Sequence, residues 1–297
     1  MIMIDRTLHK EEIQGFLQKH FSHHLWKFSL PVGTGNETYF AKSGDVALFI
    51  KVGVHIDRYL VISSAGLTPP VLASGFLDDG SSIIVQPFIS GTRPIRNDYR
   101  RHLEQFASLI MQLHWNEGIK QLLPKVPSES YRDAGLKSLA NIQAKWETYK
   151  ILVPAEAKFL DKSIEYLRQQ VEGFTGSGLV ASHNDMCNYN WLLSNNDRLF
   201  LIDLDSMSLD DSALDIGATL WWYYPPELRH RFLEVSNCLA DEEFPRRMQV
   251  RMAMHCLNIE LPRQQSYDQF DPSSFGDSLT DFKAALAGKE NPQGYGD

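Results

Sequence analysis

Cysteine is scarce in this chain. Cys187, Cys238 and Cys256, three residues in 297, are too few and too widely spaced for a disulfide framework or paired C-x-x-C zinc sites. A reducing cytoplasm is then the simplest home. Basic residues are outnumbered, 29 Lys+Arg against 37 Asp+Glu, for a formal net charge of −8 at pH 7. A protein living on phosphate contacts needs a Lys/Arg excess on at least one face, so no nucleic-acid partner is expected. No stretch approaches the ~20 consecutive apolar residues of a membrane span. The N-terminal segment meets Asp5, Lys10, Glu11 and Glu12 before a leader's apolar run can develop, so no membrane association is expected. Internal repeats and low-complexity segments are absent as well. What is present is an ordinary globular composition, 43% hydrophobic and 22% charged, on a chain long enough for two lobes.

Residues 24–88 alternate between β-rich runs (HLWKFSLPV, ETYFAK, DVALFIKVGV, SSIIVQPFI) and turn signals at Gly33-Thr34-Gly35-Asn36, Ser43-Gly44-Asp45 and Asp78-Asp79-Gly80, which predicts an antiparallel meander. Between its third and fourth runs, HIDRYLVISSAG is long enough for one helix, stopped by Gly66 and then Pro69-Pro70. After Ser90-Gly91-Thr92-Arg93-Pro94 the period changes. Leu103, Phe106, Ile110 and Leu113, and later Leu160, Ile164, Leu167 and Val171, recur at helical spacing, so the second lobe is predicted to be mostly helical. Its exception is 179–203, where LVAS, NWLL and RLFLID read as short strands around a polar loop. The expected architecture is α+β, with a sheet lobe over 1–90 and a helical lobe over 91–297. Lys289 to Asp297, rich in Gly, Pro and charge, is expected to be a loose tail.

The polar loop carries the chemistry. In SHNDMCNYNWLL, Asp185 follows His183 by two residues and Asn190 follows Asp185 by five, and Asp203 ends the apolar run LFLI thirteen residues later. Phosphoryl transfer needs this set: one carboxylate to orient the attacking hydroxyl or accept its proton, and an amide and a second carboxylate to hold Mg²⁺ on the phosphates. Hard Mg²⁺ prefers oxygen and needs only one or two carboxylates. Asp and Asn are also ordinary turn residues; the flanking strands, the placing of Asp203 and the preceding Gly-containing hairpin favour the functional reading. In that hairpin Gly33 and Gly35 sit where backbone N–H groups can approach phosphates, and Lys51 lies in the strand FIKV.

In their order, LPVGTGNETYF, FIKV, IIVQPFISG, HNDMCNYNWLL, LIDLD and LDIGATLWW resemble the aminoglycoside phosphotransferase and choline kinase-like family, which has a bilobal protein-kinase-like fold. The resemblance implies Asp185 as catalytic base, Asn190 and Asp203 as Mg²⁺ ligands, Lys51 on the phosphates of ATP or GTP, and Gly33, Thr34, Gly35 and Asn36 as the phosphate-covering loop. It also implies His183 and Asp215 as braces of the catalytic loop, and a nucleotide near the hinge from Gln86 through Phe88 to Gly91. Asn184, where glycine is the alternative, resembles the choline kinase side of the family. One departure stands out: the family pattern expects a Glu on the first-lobe helix to pair with the lysine, whereas HIDRYLVISSAG offers one acid, Asp57. Either Asp57 is that partner or Lys51 has no helix partner.

The expected function is an ATP- or GTP-dependent, Mg²⁺-requiring transfer of a γ-phosphoryl group to a hydroxyl of a small molecule. The acidic balance and the resemblance favour a cationic acceptor, an amino sugar ahead of an amino alcohol such as choline. Trp221, Trp222, Tyr223 and Tyr224, with acids at Asp210, Asp211, Glu227 and Glu234, are the materials of an ammonium pocket, although four consecutive helical residues cannot face one way. Asp241 to Glu243 is expected to be solvated surface. The alternatives are a kinase of a neutral sugar or other metabolite and a nucleotide-binding pseudokinase-like module. His20, His23 and His24 lack a third ligand at metal-site spacing and read as a helix end; Cys187 reads as a small hydrophobe.

Overall fold

The computed structural model describes residues 6–21, 25–30, 37–262 and 270–296. Within them the chain runs α1 (Arg6–His20), β1 (Lys27–Ser29), β2 (Thr38–Ser43), β3 (Val46–Val52), α2 (Ile56–Ser64), β4 (Ala73–Phe76), β5 (Ser82–Pro87) and β6 (Gly91–Thr92). It continues through α3 (Arg96–Arg101), α4 (Leu103–His114), α5 (Glu117–Leu122), α6 (Tyr131–Tyr149), α7 (Pro154–Glu172), β7 (Val180–Ser182), β8 (Trp191–Ser194), β9 (Leu199–Leu201) and β10 (Ser208–Asp210). The last elements are α8 (Ser212–Tyr223), α9 (Pro226–Val235), α10 (Phe244–Glu260), α11 (Phe275–Ser278) and α12 (Thr280–Leu286). These form two compact units, 1–93 with 190–205 and 94–189 with 206–297.

The first unit is built on an antiparallel sheet in the order β1-β2-β3-β5-β4. The meander is present, with one strand more than the sequence pattern predicts: β4, an edge strand whose residues Ala73-Ser74-Gly75-Phe76 carry no polar/apolar alternation. Strand alternation sorts the two faces. Leu48, Ile50 and Val52 of β3 join Tyr39, Ala41, Ile83 and Val85 in a core closed by Ile13 and Leu17 of α1. The opposite face of β3 carries Phe49 and Lys51, with Phe40 opposite Phe49 and Thr38 opposite Lys51. Helix α1 is a second helix in this unit beside the expected α2. Helix α2 ends where the sequence places its stop, at Ala65 followed by Gly66 with φ +74°. The hairpin β8–β9 groups with this unit because β8 pairs with β6 and Leu201 N–H bonds the Leu67 carbonyl at 2.7 Å.

His9 fastens α1 to the sheet side of the unit. Its buried ring bonds Glu37 through Nδ1 and lies 2.9 Å from Asp79 Oδ2 through Nε2. Burial opposes the charged imidazole, but the hydrogen bond with Asp79 and the Glu37 carboxylate outweigh it and raise its pKa above the ordinary 6.5. A group whose pKa is raised on folding stabilises fully below its unfolded value, and that contribution fades as pH rises through the raised one. His9→Gln is therefore expected to lower the melting temperature at about pH 6 and to change it less at about pH 9. Equal loss at both pH values in thermal unfolding would count against the ion-pair role.

The second unit is mostly helical, as predicted. The stripe Leu103, Phe106, Ile110 and Leu113 is buried along α4, and Leu160, Ile164, Leu167 and Val171 along α7. Strand β7 pairs antiparallel with β10, Ser208 opposite Ser182. The terminal segment corrects the expectation of a loose tail. Trp221 Nε1 donates to the Lys289 carbonyl at 3.3 Å, Arg229 pairs with Glu290, Asn291 is buried, Arg96 donates to the Gly296 carbonyl at 2.8 Å, and Arg100 donates to the Tyr295 carbonyl. Arginines of α3 and α9, with Trp221 of α8, supply donors that composition at the C-terminus does not reveal. Among the described residues no helix is long and apolar enough to cross a membrane.

Candidate active site

In the second unit the loop after β7 hangs from one carboxylate. Asp215, on the first turn of α8, is 1% exposed, and three donors converge on it: His183 N–H at 2.7 Å and His114 Nε2 at 2.9 Å on Oδ2, and Asn184 N–H at 2.9 Å on Oδ1. Burial pushes the carboxyl up, but His114 and His183 outweigh it and hold its pKa below the usual 3.8. His114, at the end of α4, is a partner that sequence reasoning missed; a histidine closing an apolar stripe in LIMQLHW was its signal.

Asn184 has φ +66°, a left-handed conformation that glycine adopts freely and asparagine better than most residues. The asparagine side chain adds what glycine could not: Nδ2 donates to the Ser206 carbonyl at 2.8 Å and to Ser208 Oγ at 2.9 Å. The next residue, Asp185, is half-buried. The loop's far side is tied by Tyr223, whose hydroxyl accepts from Asn188 N–H at 2.7 Å while its ring stacks on Tyr99 at 4.0 Å. Burial, chiefly, pushes the Tyr223 hydroxyl up to about 12.

In the first unit, the Asn190 carbonyl accepts from Ile202 N–H at 2.9 Å, so the two expected metal ligands belong to adjoining backbone. Asp203 also has a left-handed backbone, φ +60°, costly for a residue other than glycine and characteristic of functional positions. Its side chain is half exposed, and Oδ1 accepts from Lys51 Nζ at 2.9 Å. Lys51 is 6% exposed and has two further acceptors, Tyr59 Oη at 2.9 Å and Asp205 Oδ2 at 3.4 Å. Burial opposes its charge, but Tyr59, Asp205 and Asp203 outweigh that and raise its pKa. Oxygen donors from Asn190 and Asp203 fit Mg²⁺ chemistry; among the described residues no cluster of three or more His, Cys, Asp and Glu forms a metal site of another kind.

Asp57 is not the helix partner of Lys51. It is exposed, and residues two apart on a helix point to opposite sides, so the turn that buries Tyr59 against Lys51 carries Asp57 away. Gln86, on the same sheet face as Phe49 and Lys51, is buried with its amide donating to the Pro69 carbonyl at 2.6 Å. Phe88 is 46% exposed and meets Phe40 edge-on at 5.4 Å. Gly33, Thr34, Gly35 and Asn36, with His23 and His24, lie outside the described residues; His20 is exposed at the end of α1.

The acids of the helical unit are largely held by arginines. Arg251 pairs with Asp210 at 2.7 Å, Arg247 with Asp211 and Asp241 at 2.8 Å each, and Arg231 with Glu234 at 2.6 Å. Asp211 also caps α8 by accepting from Ala213 N–H at 3.0 Å. Glu243 accepts from the backbone N–H and the hydroxyl of Thr175. Asp210, Asp211 and Asp241 are therefore members of structural ion pairs, which corrects the reading of Asp210 and Asp211 as pocket carboxylates, while Glu227 and Glu242 are exposed. Of the aromatic quartet, Trp221 and Tyr224 are buried.

The model of the phosphotransferase enzyme family matches residues 32–247, well over half the chain. The chain belongs to that family. Its fold is that of the protein-kinase-like phosphotransferases of known structure. The choline kinase LicA from Streptococcus pneumoniae matches at 15% identity with TM-score 0.58, over 93% of this chain and 99% of that one. The GDP complex of aminoglycoside 2'-phosphotransferase-IIIa matches at 13% identity with TM-score 0.66, over 96% and 99%. A Plasmodium vivax ethanolamine kinase matches at 16% identity with TM-score 0.61, over 88% and 82%.

Proposed function

We propose that the protein is a small-molecule kinase that moves the γ-phosphoryl group of ATP or GTP to an alcohol of its acceptor. What supports this is, in the second unit, a loop that includes Asp185 and hangs from Asp215 and, in the first, a buried Lys51 in contact with the acids that follow β9. Asp185 accepts or orients the proton of the acceptor hydroxyl. Asn190 and Asp203 are the residues that would hold Mg²⁺, which when bound supplies charge neutralisation on the phosphates. Lys51 offers its ammonium to the same oxygens. Phe40, which meets Phe49 at 5.5 Å and Phe88 at 5.4 Å on the Lys51 face of the sheet, offers with them apolar surface for a base. The transition state is loose and negative, so positioning and fixed positive charge do most of the work.

A cationic acceptor, an amino sugar or amino alcohol, is supported by the −8 balance and by the family. The ion-paired state of Asp210, Asp211, Asp241 and Glu234 favours a second reading, a neutral sugar or other hydroxylated metabolite. The test is a thermal shift with ATP and GTP, with and without Mg²⁺, followed by transfer over a panel of amino sugars, amino alcohols and neutral sugars. A cationic acceptor is expected to show a KM that rises with ionic strength while the nucleotide KM moves less. A neutral sugar outperforming the amines selects the second reading. No nucleotide-dependent shift and no transfer would overturn the kinase assignment.

A further inference from the structure

We propose that Tyr59 is the positioning residue for Lys51, a neutral phenol on α2 that aims the ammonium and locks it to the backbone of the Asp203–Asp205 turn; the inference rests on the kinase reading above for its consequence. An ammonium has three N–H donors and, when buried, needs an acceptor for each. Lys51 has them: Tyr59 Oη and Asp203 Oδ1 at 2.9 Å, and Asp205 Oδ2 at 3.4 Å. Two of the three come from one turn. The third comes from the helix, and it is uncharged.

The phenol oxygen has a second task. It also accepts from Leu204 N–H at 3.4 Å, the amide between the two carboxylates, so one atom of α2 touches both the lysine and the acid-bearing turn. Arg58, the preceding residue, grips the same turn from its carbonyl side, with Nη1 2.8 Å from Leu204 O and 3.3 Å from Asp205 O. Helix α2 thus holds donors and acceptors of one short segment together. Arg58 and Tyr59 are both buried.

A neutral anchor has a physical consequence. Lys51 already meets the carboxylates of Asp203 and Asp205; a third on α2 would cancel more of its charge, whereas a phenol orients the ammonium without adding negative charge. Tyrosine is also stiffer than glutamate, with two side-chain torsions rather than three, so less freedom is lost in holding the contact.

The test uses the full chain with Tyr59→Phe, which keeps the ring in its hole and removes the hydroxyl. Dissociation constants for Mg·ATP and Mg·GTP are measured for wild type, Tyr59→Phe, Lys51→Met and the double variant. Loss of one hydrogen bond to a charged group is expected to weaken binding about tenfold in Tyr59→Phe, and the double variant should bind like Lys51→Met alone. A merely structural tyrosine would instead give additive losses in the double variant, and that result overturns the proposal, as does wild-type binding by Tyr59→Phe. A second measurement needs no nucleotide: acetylation of Lys51 by acetic anhydride, read by mass spectrometry against the exposed Lys42. Tyr59→Phe is expected to raise that ratio several-fold, and an unchanged ratio overturns the positioning role. If the wild-type chain took up neither nucleotide, the kinase reading would fail, and the labelling ratio would still decide whether Tyr59 holds Lys51.

Discussion

Replacing Asp185 by alanine is expected to lower kcat by about 10³-fold or more while leaving the dissociation constant for Mg·ATP or Mg·GTP within about twofold of wild type. Asp185 acts on the acceptor hydroxyl, so its loss removes the group that takes the proton and nothing that holds the nucleotide. Asp203→Ala should fail differently. It removes a carboxylate that fits the metal and one of the three acceptors of Lys51, so Mg²⁺-dependent nucleotide binding should weaken along with turnover. Binding by calorimetry and single-turnover transfer separate the two. Wild-type rates in Asp185→Ala, or identical defects in both variants, would falsify this division of roles.

What the sequence made legible, and what it concealed, follows from the kind of signal each residue carries. The stripes on α4 and α7 and the alternation on β3 are periodic over many residues, so burial follows from them directly. Strands β4, β6 and β10 have two to four residues, too short for a period to register; β4 and β6 pair with the longer β5 and β8, and β10 with the equally short β7. The catalytic loop was legible as an ordered set of residue types. Its supports were not: His114 reaches Asp215 from 101 residues away in sequence, and Lys51 meets Asp203 across 152. Tyr59 carries no such signal, because an aromatic in a helix reads as packing until its hydroxyl is placed. The arginines at positions 247 and 251 are the reverse case. Arginine is ordinarily a surface residue, and tertiary pairing with Asp211 and Asp210 buries these two.

Asp215 is expected to show the largest effect on folding and activity together. Asp215→Asn preserves size and hydrogen-bonding capacity in number but not in kind. All three neighbours, His183 N–H, Asn184 N–H and His114 Nε2, are placed around acceptor oxygens, and the amide NH₂ must face at least one of them. Turned toward Asn184, it opposes an N–H; turned the other way, it opposes His183. Leaving buried donors unpaired costs about 1–3 kcal/mol each, and removing one member of a buried charged pair costs about 3–5 kcal/mol, so a loss of several kcal/mol is expected with a matching fall in melting temperature. The pH dependence has a defined sign. Because the folded carboxyl titrates below its usual 3.8, its contribution is full above that value and is lost as pH falls through the lower folded one. Wild type and variant should therefore converge in stability in strong acid and diverge toward neutrality. Activity should fall with Tm still high enough to assay at low temperature, since His183 and Asn184, which lead into Asp185, lose the anchor that fixes their backbone. Parallel stability curves at all pH values would remove the carboxylate from this role and leave Asp215 a residue of shape alone.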